Sequence, residues 1–225
     1  MTLVIAHRGA SAAEPENTVA AFTAARKLGA DWVELDVRRT GDAALAVHHD
    51  AHLPDGRELV RLPAADLPDA IPSLEEALDA CGPLGVNIEI KNDPRDPDFD
   101  DTELVAREVA ALLDRRADTD EVLVSSFHEP TVERVRRLDP GVPTALLVFD
   151  PGGPAVVERV AGGGHVALHP YESFADAVLV EAAHDAGLAV NVWTCDDPER
   201  MRVLADLGVD GIVTNVPDLA REVLG

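Results

Sequence analysis

Short apolar runs alternate with amphipathic stretches along all 225 residues of the chain. The runs predict strands over 3–6, 32–37, 86–91, 121–126, 143–148, 165–168, 189–193 and 211–214. Between and after them, the helical period predicts helices over about 16–29, 73–81, 101–116, 129–138, 153–162, 175–186, 197–207 and 217–224. Ser73 with Glu76 three residues on has the form of a capping box, and Gly29, Gly187 and Gly208 stand where helices should stop. Strand–helix alternation of this regularity calls for a parallel sheet covered by helices. Eight units in this length fit a compact (β/α)₈ TIM barrel, with a doubly wound open sheet as the alternative.

One apolar run exceeds that count. Leu45-Ala46-Val47-His48-His49 follows the second strand too closely for a parallel crossover, which needs a dozen residues or more. It is expected to return antiparallel on the second strand through a tight turn at 40–43. A turn centred near Asp42 and Ala43 would bring His49 back beside Asp36.

Nothing in the middle of the chain reads as a linker, so residues 1–225 are expected to form one domain. A formal charge of −23 argues against nucleic acid or an anionic membrane as partner, because either requires a basic surface. Cys81 and Cys195 do not make a disulfide framework; Cys81 is expected to pack near a helix end and Cys195 to be an exposed thiol. The first six residues already belong to a strand and lack the form of a secretion signal, and no apolar run is long enough to span a membrane. The expected location is cytoplasmic, and the expected partner is a small molecule.

The chemistry sits at strand ends. Glu34 and Asp36 are two apart and share a face, and Glu89 and Lys91 repeat that spacing on the next barrel strand. Three carboxylates about 5 Å apart would repel by roughly 3 kcal/mol per pair at an effective dielectric near 20. A divalent cation resolves that, and an all-carboxylate set selects Mg²⁺ or Ca²⁺, with Mn²⁺ as a third choice, over Zn²⁺. The competing reading pairs Glu34 and Asp36 with Arg38, Arg39 or Lys91 as ordinary ion pairs. His7 and Arg8 close the first strand: the guanidinium fork suits a phosphate oxygen pair, and His7 with His49 supplies two imidazoles for general acid and base roles.

His169 also ends a strand and stays in the candidate set. His48 should face away from His49, and His52, His128, His165 and His184 read as structural. Pro15-Glu16-Asn17-Thr18 reads as a helix start capped by Asn17 or Glu16. Phe127 and Trp193 should look into the barrel mouth as substrate contacts, and for Phe127 core packing is an equal reading.

These segments resemble the glycerophosphodiester phosphodiesterase family over nearly the whole length. The resemblance is carried by Ile5-Ala6-His7-Arg8-Gly9, Pro15-Glu16-Asn17-Thr18, Trp32-Val33-Glu34-Leu35-Asp36-Val37, Val47-His48-His49-Asp50, Asn87-Ile88-Glu89-Ile90-Lys91, Ser125-Ser126-Phe127, Val192-Trp193-Thr194 and Gly208-Val209-Asp210-Gly211. It implies a TIM barrel, a metal held by Glu34, Asp36 and Glu89, His7 and His49 as the acid–base pair, and Arg8 and Lys91 on the phosphate. It also implies hydrolysis of glycerophosphodiesters to sn-glycerol 3-phosphate and an alcohol. In the family's usual mechanism the neighbouring glycerol hydroxyl attacks phosphorus and water opens the resulting cyclic phosphate.

Three departures from the family pattern are visible. The Arg-Thr-Thr run that usually follows His-Asp is absent, the insertion after Asp50 is cut down, and the last strand ends in Thr214-Asn215 where an aspartate is common. Two other functions stay open at this level. One is a phospholipase-type phosphodiesterase acting on lysophospholipids or cyclic phosphodiesters; the other is a non-catalytic phosphate-binding barrel.

Overall fold

The structure, a computed structural model, describes residues 1–116, 121–150, 152–153 and 155–225. Eight parallel strands close into a ring: β1 (Leu3–His7), β2 (Trp32–Arg39), β4 (Gly85–Ile90), β5 (Val122–Ser126), β6 (Thr144–Val148), β7 (Ala167–Pro170), β8 (Ala189–Val192) and β9 (Gly211–Thr214). Closure is explicit, because β1 pairs with β2 on one side and with β9 on the other. Helices α1 (Val19–Lys27), α2 (Leu74–Cys81), α3 (Leu104–Arg115), α4 (Glu129–Leu138), α5 (Ala155–Gly162), α6 (Ala177–Asp185), α7 (Pro198–Asp206) and α8 (Pro217–Leu224) follow the barrel strands in turn. The arrangement is a TIM barrel, and the open-sheet alternative is set aside. No helix among the described residues is long and apolar enough to cross a membrane.

Period-two alternation divides each strand between two environments. One face packs on the helices, as Leu35 and Ile88 do with Phe22 and Leu74, and Leu168 and Ile212 with Met201 and Leu204. The other face fills the barrel in layers. Its lowest apolar layer joins Trp32, Leu123, Ala145, Ala167 and Ala189. Gly85 completes it, because a Cβ there would lie 2.2 Å from the Trp32 indole. Two residues further along the strands stand Glu34, Asn87, Ser125, His169 and Asn191, all buried. Two further still come Asp36, Glu89, Phe127, Phe149, Tyr171 and Trp193 at the mouth.

His169 therefore belongs to the barrel interior and not to the site. Its Nε2 faces Asn191 Nδ2 at 3.0 Å, and burial pushes its pKa down to about 3. The unfolded chain takes up this proton near pH 6.5 and the folded chain does not, so stability is lost as pH falls from about 6.5 towards 3. The expected loss at pH 5 is on the order of 2 kcal/mol relative to pH 7. Denaturant unfolding of wild type and His169→Asn at both pH values should show this component in the wild type alone.

Helix ends follow the sequence signals. Ser73 and Glu76 form the full capping box of α2, and Gly29, Gly187 and Gly208 take positive φ just past their helices. The helix expected from 16 starts later, because Thr18 is the cap and accepts from the Ala21 amide. Residue 154 of the helix expected over 153–162 lies outside the described residues. The strand expected over 165–168 lies two residues later; His165 instead bonds Thr144 Oγ1 with Nδ1 at 2.8 Å, and Ala167 opens the β7 ladder.

The hairpin forms, but one residue out of the expected register. β3 (Leu45–Val47) pairs with β2 as Val37 with Val47 and Arg39 with Leu45. Thr40 and Ala44 close a three-residue loop in which Ala43 takes φ 64°, the geometry of a turn followed by a left-handed residue. His48, rather than His49, thus pairs with the Asp36 carbonyl (3.0 Å). Strand geometry stops at Val47, and the loop that follows carries His49 to the mouth. The shortened insertion folds into two 3₁₀ turns, Leu59–Arg61 and Ala64–Asp66, over a small cluster of Ala46, Leu53 and Leu59. Cys195 is not an exposed thiol: it is buried, and burial pushes its pKa up to about 11.

Candidate active site

The end of β1 turns sharply. Arg8 takes φ 54° and Gly9 φ 80°, and a Cβ on Gly9 would lie 2.6 Å from the Ala21 backbone of α1. That close approach fits only glycine. The turn aims the Arg8 amide at Glu34 Oε2 (3.0 Å) and places its guanidinium Nε 3.2 Å from Asp36 Oδ2. Its Nη1 meets both oxygens of Glu16.

Parallel register sets Glu34 opposite His7 and Asp36 opposite Glu89. One oxygen from each of Glu34, Asp36 and Glu89 lies within 4.8 Å of the other two, and all three residues are buried. Lys91 Nζ sits 2.7 Å from Glu89 Oε1 and 3.7 Å from Asp36 Oδ1. The competing ion-pair reading is met only in part. Arg38, on the same face, pairs instead with Asp96 and Asp98 and donates from Nε to the His49 carbonyl (2.7 Å), and Arg39 donates to the Asp98 carbonyl. Glu34 Oε1 is left buried without a hydrogen-bond partner.

The three carboxyl groups respond differently. Burial, then Asp36 and Glu89, push Glu34 well above the ordinary carboxylate range. Burial acts on Asp36 in the same sense, but Lys91 and Arg8, with His49 and the Asn17 hydrogen bond, hold that group low. Glu89 is raised by burial against the pull of Lys91. Three buried hard-oxygen donors, one of them unpartnered, have the chemistry of a site for a hard divalent cation.

Both imidazoles are oriented from behind. His7 Nδ1 lies 2.7 Å from Asn215 Oδ1, and Asn215 Nδ2 donates to Asp196 Oδ2 (2.6 Å). The amide oxygen can only accept, so Nδ1 carries the proton and Nε2 faces Glu34 at 3.9 Å. Burial and Arg8 lower the His7 pKa. His49 Nδ1 meets Asp50 Oδ1 at 2.7 Å, and His49, not His48, lines the cavity beside Glu89 and Lys91.

Sequence reasoning missed several groups. Asn17 is not the helix cap: it is buried at φ 56°, donates to Asp36 Oδ2 (2.8 Å) and accepts from the Asp36 amide (3.3 Å). Its left-handed conformation gave no signal in sequence. Asp50 and Asn215 act as partners of the histidines. The chain has five phenylalanines, one tyrosine and two tryptophans, and five of these meet on one side of the mouth. Phe127 packs edge-on to Trp193 (5.2 Å), Tyr171 lies 5.3 Å from Trp193, and Phe149 stacks on Tyr171 (4.9 Å) with Phe174 beside it. No single loop is rich in aromatics, because four loops contribute. Counting every second residue along β6 and β7 reaches Phe149 and Tyr171, as it reaches Phe127 on β5.

This ring of groups can be set beside known proteins. The model of the Glycerophosphoryl diester phosphodiesterase family matches residues 7–219. The chain belongs to the glycerophosphodiester phosphodiesterase family. A glycerophosphodiester phosphodiesterase of Caldanaerobacter subterraneus is 32% identical over 242 residues, covering 96% of this chain and 95% of that protein. One of Bacillus altitudinis is 31% identical over 99% of this chain and 98% of its own length. Among solved structures, an Oleispira antarctica phosphodiesterase in complex with the product sn-glycerol-3-phosphate superimposes with a TM-score of 0.90. Its sequence identity is 28%, and the match covers 100% of this chain and 97% of that one. Membership makes the chain an enzyme, a phosphoric diester hydrolase.

Proposed function

We propose that the chain hydrolyses glycerophosphodiesters to sn-glycerol 3-phosphate and an alcohol, with one domain over residues 1–225 supplying every group. The observation that carries this reading is the buried set of Glu34, Asp36 and Glu89 flanked by Arg8, Lys91 and two imidazoles. Arg8 and Lys91 bind the non-bridging phosphate oxygens and exchange part of their carboxylate contacts for the diester anion. A divalent ion on the three carboxylates, Mg²⁺ or Ca²⁺ with Mn²⁺ as a third choice, would supply positive charge to a phosphoryl oxygen and its attacking neighbour.

Neutral His7 accepts the proton of the vicinal glycerol hydroxyl at Nε2 as that oxygen bonds to phosphorus. His49, braced by Asp50, gives a proton to the alcohol oxygen as its bond to phosphorus breaks. The two roles then reverse: His49 takes a proton from water as it attacks, and His7 returns one to the ring oxygen that leaves. Phe127 and Trp193 form the wall against the glyceryl carbons.

One observation favours a second substrate class. Phe149 and Phe174 extend the wall outward and are exposed, which suits the chain of a lysophospholipid. Product analysis over a panel of glycerophosphodiesters and lysophospholipids, each with Mg²⁺, Ca²⁺ or Mn²⁺, separates the readings. Release of sn-glycerol 3-phosphate from the small diesters is expected. Turnover of lysophospholipids alone would replace the first reading by the second, and no turnover of either would remove both.

A further inference from the structure

His128 follows Phe127 at the mouth and shares a cavity of about 420 Å³ with His49, Glu89 and Lys91. Its environment is built to fix one tautomer. Nδ1 lies 3.0 Å from Thr131 Oγ1 and 3.2 Å from Glu103 Oε1. The Thr131 hydroxyl donates its own proton to Glu103 Oε2 (2.6 Å), so its oxygen is left to accept. Asn92 Nδ2 supplies further donated bonds to Glu103 Oε2 and Thr131 Oγ1. Every group facing Nδ1 thus accepts, and the proton of the neutral ring stays on Nδ1.

Glu103 and Thr131 are buried, and Glu103 holds its place at φ 58°, a conformation uncommon outside glycine. Phe99 closes the ring edge-on at 5.5 Å. With Nδ1 turned to the protein, Nε2 is the nitrogen left for the cavity, and it presents a lone pair. The cavity is also lined by Asp50, Asp93 and Asp96, bonded in turn to His49, Arg95 and Arg38, and by Lys91, so discrimination among head groups falls to the Nε2 lone pair.

We infer that His128 is a specificity-determining residue that accepts, through Nε2, a hydrogen bond from a primary ammonium or hydroxyl on the departing alcohol, with Glu103 as its positioning residue. The inference rests on the phosphate lying between Arg8 and Lys91, with glycerol against Phe127 and Trp193. That arrangement leaves the His128 cavity to the alcohol. A trimethylammonium head group carries the same charge as a primary ammonium but no N–H, so it offers nothing to the acceptor.

The test is the ratio of kcat/KM for glycerophosphoethanolamine to that for glycerophosphocholine. The ratio is insensitive to a general loss of folded enzyme. Wild type is expected to favour ethanolamine about tenfold or more, as a hydrogen bond to a charged donor implies. His128→Ala should bring the ratio close to one. Glu103→Gln should lower it in part, because an amide can donate to Nδ1 and turn the tautomer over. Glycerophosphoglycerol should follow ethanolamine in every variant.

A ratio unchanged in folded His128→Ala, or an equal loss on all three diesters, would overturn the assignment. Calorimetric affinities for the two nitrogenous diesters, measured with chelator present, decide the matter even without turnover. Equal affinities in wild type sink the inference, whereas a preference lost in His128→Ala supports it. Absence of turnover with such a preference counts only against the hydrolytic reading.

Discussion

Glu34→Gln should lower sn-glycerol 3-phosphate release by about 10³-fold while the protein keeps its fold. The substitution preserves shape and keeps an amide oxygen to accept from the Arg8 backbone, so the β1 turn stays in place. What it removes is one of three carboxyl groups that each place an oxygen within 4.8 Å of the others in a buried volume. Loss of one preorganised electrostatic contribution of this kind typically costs 10²–10³ in rate, and a metal ligand stands at the upper end. Unfolding should report the opposite sign. Without added cation the variant is expected to match or exceed wild type in Tm, because it relieves the repulsion that pushes the Glu34 carboxyl up. Wild type should gain Tm on addition of divalent cation, by mass action, and the variant should gain little. Rate assays and thermal melts on the same samples check both halves.

His7→Ala should reduce turnover by about 10²–10⁴-fold, and His49→Ala by a similar factor, with the double variant falling far short of the product. The pH profile carries the sign. Burial and the neighbouring Arg8 lower the His7 pKa, so the neutral, proton-accepting form persists below the ordinary histidine range. The acid limb of kcat/KM should therefore lie below pH 6.5, and activity should fall only as pH drops through the lowered value. Asn215→Leu removes the acceptor behind Nδ1 but no reacting group, and should cost less than His7→Ala. Steady-state rates between pH 4.5 and 9 measure all four variants; an acid limb above 6.5 would contradict this assignment of the base.

The barrel was legible because two physical periods run through the chain. Alternate residues of Trp32–Arg39 and Gly85–Ile90 face helices or barrel interior, and the same rule that buries Leu35 and Ile88 points Glu34, Asp36 and Glu89 inward. Helix stops at Gly29, Gly187 and Gly208 follow from local backbone chemistry and appear where expected. What escaped depends on loops, where side-chain direction has no period. Asn17 reads as a cap and lies instead beneath Asp36, because a left-handed turn reverses its direction. His49 reaches the mouth through a loop rather than along a strand, since the three-residue turn shifts the hairpin by one. Asn215 and Glu103 matter through pairings across up to 208 residues of chain, which no local window contains, whereas Asp50 stands next to its partner His49.

The central claim is that Glu34, Asp36 and Glu89 hold the cation on which hydrolysis depends. Its most direct measurement is a stepwise return of Mg²⁺, Ca²⁺ or Mn²⁺ to chelator-treated enzyme, with calorimetric binding and sn-glycerol 3-phosphate release followed on the same preparation. One bound ion per chain is expected, activity should rise with its occupancy, and Glu34→Gln should lose both signals together. Full hydrolysis in excess chelator, or cation binding that Glu34→Gln leaves unchanged, would contradict the account.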